Sequence, residues 1–98
     1  THGDWLRFLD EEILDVLPDE ERELLATLAV SDRPVLWADL AAACNHDGNP
    51  PSALLERGLL IELNDGMWLH EALRERLLRE VGAPHEERKK KINKARGA

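Results

Sequence analysis

Between two apolar runs, Leu59-Leu60-Ile61-Glu62-Leu63 and Met67-Trp68-Leu69-His70, lies the triplet Asn64-Asp65-Gly66. Asp-Gly at such a junction is a strong hairpin signal, because glycine supplies the positive φ that a tight turn demands. A two-stranded hairpin is marginal in water on its own. Its apolar side must lie against another element, and nearly every other candidate element in this chain is helical. The fold is thereby narrowed to a helical platform carrying one β-ribbon.

The helical pattern begins early. Asp4 is placed to cap a helix over residues 4–17, with Leu6, Leu9, Ile13 and Leu17 on one face. Pro18 breaks it and starts a second helix that ends near Val30, with Asp19, Glu20 and Glu21 in its first turn and Leu24, Leu25 and Leu28 as its buried stripe. Residues 31–34 read as a turn and residues 35–37 as a short strand. A short helix over 38–44 buries Leu40, Ala41 and Cys44. The turn formers of 45–50 follow. Pro51 opens a further short helix that Gly58 closes, with Leu54 and Leu55 inward. After the hairpin, a last helix over 71–81 carries Leu73, Leu77 and Val81 on one face, stopped by Gly82 and Pro84.

This order gives a mainly α fold: a winged helix-turn-helix, with a three-helix core, a two-stranded β wing, and an extra helix at each end. Residues 1–83 form the winged-helix domain, including the N-terminal extra helix. Residues 84–98 are set apart as a basic polar tail or linker, a stretch that reads as a frayed helix, a linker or a disordered tail.

Length and composition fit one domain of modest size. The chain has 98 residues, 43% hydrophobic, enough for a single Leu-built core. Cys44 is the only cysteine, so no internal disulfide can form, and a reducing, cytoplasmic setting is expected. No apolar run approaches the roughly 20 residues needed to cross a bilayer, so no membrane partner is expected. The chain begins Thr1-His2-Gly3-Asp4, without Met and without signal-peptide character, and is expected to be a piece cut from a longer protein. Net charge is −7, unevenly spread: residues 84–98 hold Arg88, Lys89, Lys90, Lys91, Lys94 and Arg96 against Glu86 and Glu87. The rest of the chain is correspondingly acidic and repels phosphate backbones at long range.

No constellation of catalytic type stands out, and no enzyme activity is expected. Glu11-Glu12 and Glu20-Glu21 fall on solvated helix faces or in a first turn, where acid/base work has no enclosed setting. Cys44, His46 and Asp47 cluster at a turn, yet one Cys and one nearby His do not make a four-ligand zinc site. No Gly-x-x-x-x-Gly-Lys-Ser/Thr loop is present to cradle phosphates.

Three segments resemble a known family. Residues 17–30, reading LPDEERELLATLAV, are similar to the start of the winged-helix domain of STAND-class signalling NTPases, the class of NB-ARC, NACHT and related bacterial and archaeal ATPases. Leu54-Leu55-Glu56-Arg57-Gly58-Leu59-Leu60 resembles that family's exit into the wing. Leu69-His70-Glu71 and the helix after it resemble its Met-His-Asp motif, with Leu69 standing for Met and Glu71 for Asp. The resemblance implies a regulatory module that docks on the NTPase domain of its own chain and on other proteins. It implies ADP or ATP for the parent protein, no cofactor in this piece alone, and His70 as the residue that reaches the nucleotide phosphate. An imidazole N–H can donate to a phosphate oxygen.

The alternative is a DNA-binding winged helix of a transcription regulator or replication initiator. A recognition helix presents Arg, Lys, Asn or Gln to base edges. Here residues 51–57 offer only Ser52, Glu56 and Arg57 as polar groups, and the wing carries Glu62 and Asp65 with no Lys or Arg. Nucleic acid is therefore the less favoured partner, with Arg88, Lys89, Lys90, Lys91 and Lys94 as its remaining route. Protein contact is expected at Trp68, Met67 and Arg57, since Trp is enriched at interfaces. Trp5 and Trp37 read as core or patch residues.

Overall fold

The computed structural model describes residues 16–79 and 85–97. Helix α1 spans Asp19–Ala29, α2 Trp37–Cys44 and α3 Ser52–Glu56. Strands β1 (Ile61–Leu63) and β2 (Gly66–Trp68) follow, then α4 (Glu71–Leu78) and α5 (His85–Ala95). Among the described residues the fold is mainly helical with one two-stranded antiparallel sheet, as the hairpin signal demands.

Helix α1 is the central element. Pro18 precedes it in extended conformation, and Asp19, Glu20 and Glu21 fill its first turn, where acidic groups meet the positive end of the helix dipole. Its second half, from Leu24 to Ala29, is buried on all sides. Such all-round burial requires neighbours on several faces, and α2, α4 and α5 all pack against it. Leu40 of α2, Leu54 of α3, Leu60 and Leu69 beside the hairpin, and Leu73 and Leu77 of α4 complete a continuous core.

Two turns set the short helices. Asn45 adopts φ 52° and ends α2, a left-handed cap that asparagine tolerates. Gly58, at φ 71°, ends the stretch after α3, and the N–H groups of Leu59 and Leu60 both donate to Leu54 O. The chain is thus reversed into β1. The indole N–H of Trp37 donates to Gly48 O at 3.0 Å, with His46 edge-on to the indole, which pins the connection between α2 and α3.

In the hairpin, Ile61 pairs with Trp68, Glu62 with Met67, and Leu63 with Gly66, leaving Asn64-Asp65 as the two-residue loop. Only Val35 of the expected strand over 35–37 joins the sheet. It exchanges two backbone hydrogen bonds with Met67 (3.1 and 2.6 Å), while Trp37 already begins α2. The close approach explains Gly66. A Cβ there would lie 2.5 Å from Val35 C and 2.6 Å from Val35 O, at φ 136°.

Several expectations are corrected. Of the alternatives for residues 84–98 the tail and linker give way to the helix: residues 85–95 form α5, docked on α1 and α2. Ile92 is fully buried, Ala95 packs partly buried against the core, and Arg88, one turn before Ile92, is ion-paired to Glu23 of α1. Met67 is not a contact residue. Strand alternation turns it and Leu69 into the core, and Trp68 the other way. On α2 the buried residues are Leu40 and Ala43, with Ala41 and Cys44 half-buried. The helix over 4–17 and Trp5 lie outside the described residues, as do Val81, Gly82 and Pro84.

Candidate functional site

His70 links β2 to α4. It is the N-cap of α4, in extended conformation, and its Nδ1 accepts from the Ala72 backbone N–H at 3.1 Å. That bond satisfies one of the otherwise orphaned amides of the first helical turn. A neutral ring accepting at Nδ1 carries its hydrogen on Nε2. The side chain is exposed, beside the exposed Glu71.

Trp68 and Arg74 form the next layer. Trp68 is half-buried, and the Arg74 guanidinium lies 5.5 Å from its ring centre, a cation–π contact. Arg74 Nη2 also donates to Ser31 O at 3.0 Å, and Nη1 lies 3.6 Å from Glu71. Trp68 is thus covered on one side by the chain's own cation. Arg57 is exposed at the C-cap of α3, apart from this layer in sequence and element.

The outer surface of α3 and the hairpin is nearly devoid of cations. Ser52, Glu56, Arg57, Glu62 and Asp65 are all exposed, so one basic group stands against three acidic ones. Leu36 and Leu63 are among the large apolar residues left at the surface, at 58% and 46% exposure. Gly66 pairs with Leu63, and a Cβ at Gly66 would meet the Leu36 backbone N, so both leucines lie near this glycine.

The basic residues of α5 divide by face. Arg88 is committed internally, with a bidentate bond to Glu23 and a contact to His85 Nδ1. It is therefore withdrawn from nucleic-acid contact. The Arg88 hydrogen bond, despite partial burial, holds the Glu23 carboxyl below its usual pKa of 4.5. Lys89, Lys90, Lys91 and Lys94 are exposed, and Lys89 lies 3.8 Å from Glu86. Sequence reading misses this division because the burial of one arginine among six basic residues depends on a partner 65 positions away.

Cys44 is half-buried, and burial raises its thiol pKa above 9.0. Among the described residues, no group of three or more His, Cys, Asp or Glu is arranged to hold a metal ion. No helix among them is long and apolar enough to cross a membrane. Compared with known proteins, the chain matches no protein-family model, no curated protein and no solved structure.

Proposed function

We propose that this chain is a regulatory, protein-interaction winged-helix module of a STAND- or AAA-like ATPase. It docks on the nucleotide-binding domain of its own protein and on partner proteins. The observation that carries this reading is the charge of the α3 and hairpin surface. In a DNA-binding winged helix that surface meets phosphates and needs cations. Here Glu56, Glu62 and Asp65 outnumber Arg57, and exposed Leu36 and Leu63 offer apolar contact instead. Protein partners tolerate that mixture of apolar centre and polar rim.

Within this reading His70 senses nucleotide. Its cap bond fixes the ring at the start of α4, and its Nε2–H is the donor a phosphate oxygen accepts. ADP then holds the module docked, and exchange to ATP releases it as a rigid body.

A second reading rests on the exposed Lys90, Lys91 and Lys94 of α5. They keep DNA binding, as in a transcription regulator or replication initiator, as the competing function. Fluorescence anisotropy of duplex DNA titrated with this chain, at rising salt, separates the two. Weak binding throughout is the expected result. Tight binding that falls steeply with salt, and is lost on replacing the three lysines, would overturn the proposal.

A further inference from the structure

Two guanidinium groups from different elements converge on one residue. Arg74 of α4 donates through Nη2 to Ser31 O at 3.0 Å. Arg96, just past α5, donates through its own Nη2 to Ser31 Oγ at 2.9 Å, and reaches Arg33 O and Pro34 O at 3.3 Å each. Carbonyl and hydroxyl dipoles satisfy hydrogen-bonding capacity but do not cancel charge. Arg74 has a carboxylate neighbour, the exposed Glu71 at 3.6 Å. Arg96 has none among the described residues. The Nε of Arg74 is buried with no hydrogen-bond partner.

These two arginines border a cleft of about 540 Å³ between the end of α1, α4 and α5. Val30, Leu78 and Ile92 supply its apolar lining, and Lys89 a third cation. Asp32 and Glu86 are its carboxylates, and Glu86 lies close to Lys89. Ser31, His85 and Asn93 complete a lining that is mostly polar and charged, with the apolar side chains on one part of it; a cleft of this size with convergent charged groups has the make-up of a small-molecule site. Guanidinium forks match phosphate oxygens in pairs, and two arginines with a lysine favour a dianion over a monoanion.

We propose that this cleft binds a small phosphate monoester, its phosphoryl group between Arg74 and Arg96 and its apolar body against Leu78, beside the nearly buried Val30. The occupant ties α4, α5 and the 31–34 turn together, adding to the His85–Leu78 O contact between α4 and α5 and to the arginine bonds at Ser31. The site is separate from His70 and does not depend on the function proposed above.

The test is a titration of the isotopically labelled 98-residue chain with phenyl phosphate, inorganic phosphate and phenol, followed by NMR at the Ser31 and Asp32 amides and the arginine side chains. Phenyl phosphate is expected to saturate, roughly tenfold more tightly than inorganic phosphate because of the apolar lining. Phenol is expected to leave the arginine signals unmoved. Arg96→Gln should weaken phenyl phosphate about tenfold or more, and the exposed Lys89→Gln about threefold. Lys94→Gln serves as the control, since Lys94 borders a different groove, beside Ala42 and Ala43; it should leave binding unchanged. Shifts that never saturate, or an equal loss in Lys94→Gln and Arg96→Gln, would mean diffuse attraction to a basic helix and overturn the proposal. Equal affinity for phenyl phosphate and inorganic phosphate would remove the apolar subsite.

Discussion

Arg88 grips Glu23 through two hydrogen bonds, Nε to Oε1 at 3.0 Å and Nη2 to Oε2 at 2.8 Å, and so joins the last described helix to the first. The arginine side chain is 10% exposed and the glutamate 40%. Fork geometry makes this pair stronger than an ordinary surface contact, while water at Glu23 screens part of the gain.

Arg88→Met should therefore destabilise the chain by about 1–2 kcal/mol, less than the loss of a fully buried pair, because the freed Glu23 can rehydrate. Urea denaturation of this variant, of Glu23→Gln and of the double variant forms a cycle. A coupling near 1 kcal/mol is expected. Purely additive losses would show that the two side chains contribute independently and that the ion pair adds nothing of its own.

The same pair gives stability a pH dependence. The Arg88 hydrogen bond holds the folded-state carboxyl of Glu23 below 4.5, against a smaller opposing effect of burial. The unfolded chain therefore binds this proton more readily. The contribution is fully present above about pH 4.5 and is lost as pH falls through the lower folded value. The stability difference between the parent chain and Glu23→Gln should accordingly shrink on acidification. A difference that stays constant from neutral to strongly acid pH would contradict the assignment.

Gly66→Ala tests the packing of the hairpin on the chain before α2. Its methyl would meet Val35 backbone atoms at 2.5 and 2.6 Å, and backbone yields less readily than a side chain. The φ of 136° adds conformational strain. A loss of about 2–4 kcal/mol is expected. Gly48→Ala, with open space around its Cβ position but φ 90°, should lose only about 1 kcal/mol. Thermal unfolding of the two variants checks the order, and a reversal would place the hairpin elsewhere.

At His70, capping and nucleotide sensing can be separated by choice of substitution. His70→Ala removes the Nδ1 acceptor and should destabilise α4 by about 1 kcal/mol, whereas His70→Asn keeps a cap and most of the stability. In the intact ATPase proposed above, both variants should weaken ADP binding. If only the alanine variant did so, and in proportion to its lost stability, the histidine would be a cap and nothing more.

How far the sequence is legible depends on the range of the interaction being read. Leu24, Leu25 and Leu28 announce the buried side of α1 because helical spacing alone puts them together. Asn64, Asp65 and Gly66 announce the hairpin, Pro18 and Pro51 the helix starts, and Gly58 the reversal into β1. Each signal acts within a few residues. The site residues are less legible. The sequence places His70 between the wing and a helical pattern, but only the fold shows its Nδ1 on the Ala72 amide. Met67 and Trp68 are both large and apolar, and the bond pattern to Val35 decides that Met67 is inside.

Helix α5 marks the boundary most clearly. Its sequence determines a charged stretch with acidic residues first and basic residues later, compatible with a helix or with a solvated tail. One isoleucine in eleven residues is too little apolar signal to choose between them. Tertiary structure makes the choice, by supplying the groove between α1 and α2 for Ile92 and the carboxylate of Glu23 for Arg88. Local order is written in short-range sterics and periodicity. The value of a buried charge is set by a partner that only chain closure brings within reach.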